Sequence, residues 1–307
     1  MKSATLFFGI SVLLLVQLFL DPEISFAQDS TRIFLTPQNT PSSVLLPPLP
    51  ASQPVADTSG ITDTSSVFMQ DLIHFVRVGF GVALAPLTFD RYDWEKTGLS
   101  LAGTALLFLA DKRVKNWALH NQNRTDDLLF YLDHYYGKGY SLFFTWGLYG
   151  YGALVNNEKI RKLGRNATEA FVFSGAIVGA IKLLVGRRRP YAGDNHLFFR
   201  PLQFAGNDYQ AMPSAHATFS FAVSTVMAKS FNNIYWKIFW YGSATLVSAS
   251  RIYHNQHWLS DVTMGAIIGY SVGSYVVGYD KQHGRHHLSH RIIPFYGMGT
   301  VGVRYYF

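Results

Sequence analysis

Apolar segments recur along the chain after residue 69, and polar, turn-rich stretches separate them. They cover residues 70–89, 97–111, 139–156, 168–186, 215–230, 236–250 and 262–279. Several are shorter than the roughly 20 residues of a perpendicular membrane helix, but their number and the low charge within them favour membrane spans. The pattern predicts an all-α, polytopic membrane helix bundle with about six core transmembrane helices, and a seventh if 70–89 crosses the bilayer.

The 70–89 segment is the least regular of these predictions. It contains His74 and Arg77, so an interfacial helix is the alternative. Glycine and alanine recur in other segments, as in Gly265-Ala266-Ile267-Ile268-Gly269. Small residues at this spacing let helix backbones approach closely in lipid, so we expect tight helix packing there.

The first residues are typical of an exported protein. Lys2 precedes an apolar stretch over residues 4–20, and Ser25-Phe26-Ala27 has the small-x-small form of a signal peptidase site. Residues 1–27 are therefore predicted to be a signal peptide, with an uncleaved anchor as the alternative. The Pro- and Ser-rich residues 28–65 are predicted to be a flexible linker, because they bury too little apolar surface to fold.

The remaining chain is predicted to form one membrane domain over residues 66–290, followed by a strand-like tail over 291–307. Composition supports a membrane class: 49% of residues are hydrophobic and 15% are charged, against about 25% charged in soluble domains. The net charge of +7 lies in short clusters between apolar runs, which indicates membrane flanks and no nucleic-acid partner. The absence of cysteine excludes thiolate zinc sites and cysteine nucleophiles.

Basic clusters predict the orientation of the bundle. One cluster precedes the 168–186 segment and the other follows 262–279; together they comprise Lys159, Arg161, Lys162, Arg165, Lys281, Arg285 and Arg291. Interpreted as cytoplasmic loops, they place residues 187–214 and 251–261 outside. This arrangement fits a bacterial inner membrane protein whose active site faces the periplasm.

Two polar clusters that interrupt the apolar pattern have ordinary structural explanations. Lys182 and Arg189-Pro190 stand at the end of a predicted helix, where cations commonly extend to the membrane surface. Pro213-Ser214-Ala215-His216 precedes another helix, where Pro and Ser commonly act as caps. A helix N-terminus is also an anion site, however, so this second cluster is a candidate for phosphate binding.

A third cluster contains Ser250-Arg251, then His257 and Asp261. If residues 257–265 are helical, His257 and Asp261 are an i,i+4 pair, and the carboxylate would accept from the imidazole Nδ1–H. That bond would leave Nε2 to act as base, ligand or nucleophile. An alternative is a zinc or iron site made of His254, His257 and Asp261, although it leaves the cations unexplained.

Together these clusters resemble the phosphatidic acid phosphatase type 2 (PAP2) superfamily, in its membrane lipid phosphatase branch. The family pattern is K-x6-RP, PSGH and SR-x5-H-x3-D, and it matches this sequence over a motif core of about 168–280. Ala215 replaces the usual glycine. The resemblance implies a PAP2/haloperoxidase-like core, no cofactor and no metal. It implies a catalytic set of His257, His216 and Asp261, and a phosphate-binding set of Lys182, Arg189, Ser214, Ala215 and Arg251.

The resemblance also implies a function. It predicts a metal-independent phosphatase that hydrolyses phosphate monoesters or diphosphates of membrane lipids through a phosphohistidine, with His257 as nucleophile. Arg187 and Arg188, inside the variable spacer, are interpreted as flanking charges or headgroup contacts. The alternatives are a vanadate-dependent haloperoxidase-like enzyme and a catalytically weak lipid-binding membrane protein. The motifs do not rank the candidate lipid phosphates, and the oligomeric state is left open.

Overall fold

A computed structural model describes residues 64–123, 130, 136, 139–202 and 206–284, and the backbone of 291–297 and 300–306. The chain divides into two compact units, Met1–Met69 and Gln70–Phe307. The predicted signal peptide and nearly all of the predicted linker lie outside the described residues. All contacts discussed below belong to the second unit.

Seven long α-helices are described over their whole length, and each coincides with one predicted apolar segment. They are α1 (Thr64–Leu84), α2 (Arg91–His120), α3 (Gly139–Leu154), α4 (Glu158–Val185), α5 (Ala215–Ser230), α6 (Ile234–Tyr253) and α7 (Leu259–Gly284). The all-α prediction is thus confirmed for the body of the protein. The helix at 70–89 ends earlier than predicted because Pro86 cannot continue it, and a short 3-10 turn follows.

Local side chains explain where several helices begin. Asp90 caps α2 by accepting from the Asp93 backbone N–H at 2.8 Å, and Asn157 caps α4 by accepting from the Ile160 N–H at 3.1 Å. These bonds satisfy amide groups that have no intrahelical acceptor. Two of the breaks between apolar segments are therefore encoded by single capping residues.

Glycine fixes the end of α4, where the first motif begins. Gly186 adopts the left-handed conformation with φ of 57°, and a Cβ at this position would lie 1.7 Å from the Arg200 carbonyl oxygen. Only glycine fits both the torsion and the approach. The loop that carries Arg187 and Arg189 is consequently held against residues 199–201.

Close packing of α5 against α7 forms the centre of the bundle. A Cβ on Gly265 would lie 2.5 Å from the Ser214 carbonyl oxygen, and one on Gly269 would lie 2.3 Å from that of Thr218. Glycine therefore allows the two backbones to touch, as the Gly265–Gly269 pattern predicted. Because Ser214 and Asp261 stand at the N-terminal ends of these helices, the same packing places them side by side.

Three helical stretches in the described residues are long and apolar enough to cross a bilayer: Val67–Leu87, Glu158–Val185 and Leu259–His283. The first of these favours a span, rather than an interfacial helix, for the 70–89 segment. Helices α3 and α5 have 16 residues each, fewer than a perpendicular span needs, and α2 contains buried charges. Three of the described helices thus qualify as membrane spans by length and composition alone, and the count of about six core spans stays a prediction.

The first basic cluster is not a loop, contrary to the prediction. Lys159, Arg161, Lys162 and Arg165 form the first turns of α4. Arg161 and Arg165 both pair with Asp71 of α1, and Arg165 Nη1 lies 2.8 Å from Asp71 Oδ1. Sequence position alone had suggested solvated flanking charges, but the buried acid on α1 draws two of them into the bundle.

A larger ionic cluster surrounds these pairs, and we call it the α1 ion-pair cluster. Its members are Asp71, His74, Arg161, Arg165, Glu169 and Asp280. His74 Nδ1 lies 2.8 Å from Glu169 Oε1. The polar residue that had suggested an interfacial helix is therefore directed into the bundle, where it joins α1 to α4.

The tail forms a hairpin instead of one strand. Strand β1 (Arg291–Gly297) pairs antiparallel with β2 (Thr300–Tyr306), and Gly297 stands opposite Thr300. The strand-like character of the sequence was therefore interpreted correctly. The reversal was missed, although a short glycine-containing loop is typical of a tight hairpin.

Candidate active site

The three sequence motifs meet at one end of the bundle. Lys182 lies in the last turn of α4, Arg189 in the loop after it, Ser214 before α5, Arg251 in the last turn of α6, His257 between α6 and α7, and Asp261 in the first turn of α7. Main-chain hydrogen bonds join these segments. The Ser214 N–H donates to the Asp261 carbonyl oxygen at 2.9 Å, and the His257 N–H donates to that of Arg251 at 3.2 Å.

The ring of His257 has a defined tautomer. Nδ1 lies 2.7 Å from the carbonyl oxygen of Ala211, and a carbonyl oxygen can only accept. Nδ1 therefore carries the proton, and the Nε2 lone pair is left for chemistry. His257 is 3% exposed, so this geometry is held by the protein and not by solvent.

The predicted bond from His257 to Asp261 is not formed. Nδ1 lies 3.9 Å from Asp261 Oδ2, beyond hydrogen-bonding distance. The prediction assumed that the helix included residue 257, but α7 begins at Leu259, and the nearer Ala211 carbonyl receives the proton. The sequence argument was correct about the tautomer and wrong about the acceptor.

The environment of His257 favours its neutral form. Burial lowers its pKa well below the ordinary value, and the positive charges of Lys182, Arg189 and Arg251 lower it further, while the hydrogen bond to Ala211 opposes them. A neutral imidazole with a free Nε2 is the form required of a nucleophile. The three cations that depress this pKa are the predicted phosphate ligands, so they converge on the same ring.

Two of these cations are held by neutral oxygens. Lys182 Nζ donates to the Gln210 carbonyl oxygen, and Arg189 Nη1 donates to Gln256 Oε1 at 2.8 Å. Arg189 Nε is buried and has no hydrogen-bond partner among the described residues. Burial and the nearby charge of Arg251 lower the pKa of Arg189, and the interaction with Tyr191 partly offsets this lowering. Such a cluster of like charges favours an anion between its members.

The N-terminus of α5 supplies further donors. Ser214 makes no side-chain capping bond, and its buried Oγ has no partner in the described part of the chain, so simple capping does not explain it. The amides of Ala215, His216 and Ala217 begin the helix, where backbone N–H groups lack intrahelical acceptors. His216 stands half-buried in this first turn. Ala215 occupies the position that the family usually gives to glycine.

Arg187 is neither a flanking charge nor a headgroup contact, contrary to the prediction. It is fully buried and pairs with Asp111 and Asp261, each at 2.6 Å. Its guanidinium carbon lies 4.2 Å from the centre of the Phe108 ring. Two buried acids on other helices explain why this arginine faces inward, and neither was visible from the motif.

The alternative metal site is not assembled. His254 is exposed, whereas His257 and Asp261 are buried. Among the residues that the structure describes, no three His, Asp or Glu side chains are grouped closely enough to hold a metal ion. The helical spacing that suggested the site fails because residues 254–258 form the turn between α6 and α7.

Comparison with known proteins identifies this end of the bundle. Residues 165–285 match the family model of the PAP2 superfamily. The resemblance predicted from the motifs is thus confirmed for this part of the chain. The PAP2 segment contains all three motifs, and it begins inside α4, so α1, α2 and α3 precede it. The candidate membrane spans described above make this an integral membrane protein.

Similar proteins include the lipid A 1-phosphatase of Porphyromonas gingivalis, which is 33% identical over 132 residues. The aligned part covers 42% of this chain and 26% of that relative. Among solved structures, LpxE of Aquifex aeolicus is 21% identical, with 54% of this chain and 94% of that chain covered and a TM-score of 0.43. A PAP2-type phosphatidylglycerolphosphate phosphatase from Bacillus subtilis is 18% identical, with 72% and 98% covered and a TM-score of 0.45.

Sequence reasoning missed the side chains that support the PAP2 motifs from α2. Asp111 accepts from the Ser260 backbone N–H at 2.9 Å, and Lys115 Nζ donates to the Pro190 carbonyl oxygen at 2.8 Å. Both are buried. Their i,i+4 spacing at the end of an apolar segment was the available signal, since buried charges are rare without partners.

Proposed function

We propose that the protein is a metal-independent phosphatase that hydrolyses phosphate monoesters or diphosphates of membrane lipids. The observation that carries this proposal is the buried His257 ring, whose Nε2 holds the lone pair and on which three cations act. Phosphoryl transfer needs an in-line nucleophile and neutralisation of the phosphate charge, and little else from the protein. These residues supply both.

The reaction would proceed in two steps. His257 Nε2 attacks phosphorus, the bond from phosphorus to the ester oxygen breaks, and His216 gives its proton to the departing alkoxide. His216 then takes a proton from water, whose oxygen attacks phosphorus. The P–N bond breaks, its electron pair returns to Nε2, and phosphate leaves.

The remaining predicted residues would bind the phosphate. Lys182, Arg189 and Arg251 would offset its negative charge, and the Ser214 hydroxyl with the amides at Ala215 would complete the cradle. The Asp261 carboxylate, 3.9 Å from Nδ1, would stabilise the positive ring that forms on phosphorylation. Each role is assigned from the family pattern and fits the burial and hydrogen bonds described above.

We propose a lipid substrate because the site lies in a bundle with membrane spans, and lipid A 1-phosphate is the first candidate because the similar P. gingivalis protein bears that name. We further propose export by the predicted signal peptide at 1–27 and a periplasmic site in the inner membrane. Residues 66–290 would form the phosphatase domain. In this arrangement, substrate would reach His257 laterally from the outer leaflet.

The test is phosphate release by detergent-purified protein from a panel of phospholipid, lipid A and polyprenyl phosphates, with and without EDTA. We expect wild type to release phosphate in EDTA, His257→Ala to release none, and His254→Ala to behave as wild type. The exposed His254 is the matched control because it lies on the same turn. Activity that EDTA abolishes would contradict the metal-independent mechanism.

A folded wild type that releases no phosphate from any substrate would reject the phosphatase proposal. Bromide oxidation with added vanadate would then support the haloperoxidase-like alternative. Retained binding of lipid phosphates without turnover would support the lipid-binding alternative.

A further inference from the structure

Arg187 is saturated by protein contacts. Nη1 donates to Asp261 Oδ1 at 2.6 Å and to Ser260 Oγ at 2.7 Å, while Nη2 donates to Asp111 Oδ2 at 2.6 Å. Nε and Nη2 also donate to the His196 carbonyl oxygen, at 3.0 and 2.7 Å. With its donors occupied and no exposed surface, this arginine cannot serve as a phosphate ligand.

Asp111 reaches the same place from α2, which precedes the matched PAP2 segment. Its Oδ1 accepts from the Ser260 backbone N–H at 2.9 Å, and its Oδ2 accepts from the Ser260 hydroxyl at 2.6 Å. Ser260 lies in the first turn of α7, one residue before Asp261. A carboxylate that accepts hydrogen bonds from backbone N–H groups at a helix N-terminus stabilises the first turn of the helix and fixes its position.

Asp261 receives a second constraint from the turn that carries His257. Its Oδ2 accepts from the Trp258 backbone N–H at 2.8 Å, while Oδ1 is held by Arg187. Both oxygens are thereby fixed, and the carboxylate stays 3.9 Å from His257 Nδ1. The chain of contacts therefore runs from Asp111 through Arg187 to Asp261 and ends beside the imidazole.

We propose that Asp111 and Arg187 are positioning residues of the active site, acting on His257 through Asp261. The inference rests on the proposed phosphatase function. Formal charges in this network comprise two carboxylates and one guanidinium, so one negative charge remains to balance the imidazolium-like ring formed during transfer. The positive charge of Arg187 partly neutralises the negative charge of Asp261 that acts on the imidazole. The negative charge of Asp111 in turn partly neutralises the positive charge of Arg187.

The two residues should shift the pH dependence of His257 in opposite directions. The charged groups that act on His257 are Lys182, Arg189, Arg251 and Asp261. Removing the negative charge of Asp111 leaves more net positive charge nearby, which lowers the pKa of His257. Removing the positive charge of Arg187 raises it. The acidic limb of the kcat/KM profile reports the free nucleophile, so it should move with that pKa.

The experiment measures kcat and KM from about pH 4 to pH 9 for Asp111→Asn and Arg187→Gln. We expect kcat to fall about tenfold or more, as for other residues that orient a reacting group, while KM changes by less than about threefold. The acidic limb should move by roughly one pH unit, downward in Asp111→Asn and upward in Arg187→Gln. Glu95→Gln and Arg113→Gln, which alter exposed charges of α2, are the matched controls.

Folding is checked by thermal unfolding, because Arg187→Gln leaves two buried acids without their cation. If that variant does not fold, Asp111→Asn and Ser260→Ala decide the question, since each keeps Arg187 paired with Asp261. The proposal would be overturned if the acidic limbs of the two variants shift in the same direction, or if KM rises while kcat is unchanged. Unfolding of both milder variants would also overturn it, by assigning the network to stability alone.

Assays of the wild-type protein distinguish a failure of this inference from a failure of the proposed function. An inactive but folded wild type would reject the phosphatase and leave positioning to be tested by orthovanadate, a phosphate mimic that bonds to a free imidazole nitrogen. In that case, an equal vanadate-induced rise in melting temperature for wild type and Asp111→Asn would overturn positioning. A rise that Asp111→Asn reduces, but Glu95→Gln does not, would support it.

Discussion

Replacement of Gly186 by alanine should damage both stability and activity, because the backbone torsion and a steric contact at this position both exclude a Cβ. The left-handed conformation at φ of 57° costs an L-residue roughly 1–2 kcal/mol. The added Cβ would also lie 1.7 Å from the Arg200 carbonyl oxygen, so the backbone must retreat by about 1.5 Å to reach van der Waals contact, at a typical overpacking cost of about 1–3 kcal/mol. The total loss is about 2–5 kcal/mol.

The displaced segment is the loop that leads to Arg189. A misplacement of about 1 Å can cost about 100-fold in rate, so we expect kcat/KM to fall by roughly that factor. Thermal unfolding in detergent and phosphate release measure the two effects separately. Gly179→Ala is the matched control: it lies on the same helix, where a Cβ would meet nothing within 4 Å. It should leave activity unchanged and keep or raise the melting temperature.

A Gly186→Ala protein with wild-type melting temperature and kcat/KM would refute this reasoning. That result would mean that the contact between residues 186 and 200 does not hold the loop. A variant that loses activity but keeps its stability would locate the strain in the loop alone, with the helix end unaffected.

Three further predictions concern other parts of the molecule. Asp71→Asn should lower the free energy of unfolding by about 3–5 kcal/mol, because it removes the acid that pairs with both the half-buried Arg161 and the buried Arg165. Urea or thermal unfolding measures this, and Asp90→Asn at the exposed α2 cap should cost little, because Asn and Asp cap helices about equally well. Ser214→Ala should reduce kcat/KM about tenfold, because the Ser214 hydroxyl is a proposed phosphate ligand. The melting temperature should change little, since the Oγ has no partner among the described residues, and a marked loss of stability would contradict this. Because the pKa of His257 is lowered in the folded protein, the unfolded chain binds more protons in acid, and the stability that neutral His257 contributes is present above about pH 6.5 and is lost as the pH falls. The melting temperatures of wild type and His257→Gln should therefore converge in acid. Melting temperatures that fall in parallel with pH would reject this prediction.

Elements with a local cause could be predicted from the sequence. All seven helices follow from apolar runs bounded by caps, proline or glycine, such as Asp90 and Gly186. The motif residues around His257 are also brought together as expected, because short spacings place them at the ends of adjacent helices. Their roles in catalysis stay predictions.

Features with a distant cause could not be predicted. The inward direction of Arg187 depends on Asp111, 76 residues earlier in the chain, and that of Arg161 depends on Asp71, 90 residues earlier. Sequence reasoning assigned such cations to solvent because an unpaired charge belongs there. A buried acid reverses that preference, and only the packing of α1 against α4, and of α2 against α7, reveals where those acids lie.

The two ionic networks differ in what they can do for the site. Asp261 and Asp280 belong to α7 and are 19 residues apart, about 28 Å along the helix, so the α1 ion-pair cluster is too distant to act directly on His257. The Asp111–Arg187 network ends beside the imidazole. Because His257 directs its Nδ1 proton to a main-chain carbonyl, its tautomer depends on how the loops are placed and not on one replaceable side chain. If the proposed mechanism holds, α2, one of the helices that precede the matched segment, would therefore position the catalytic groups as directly as the motifs do.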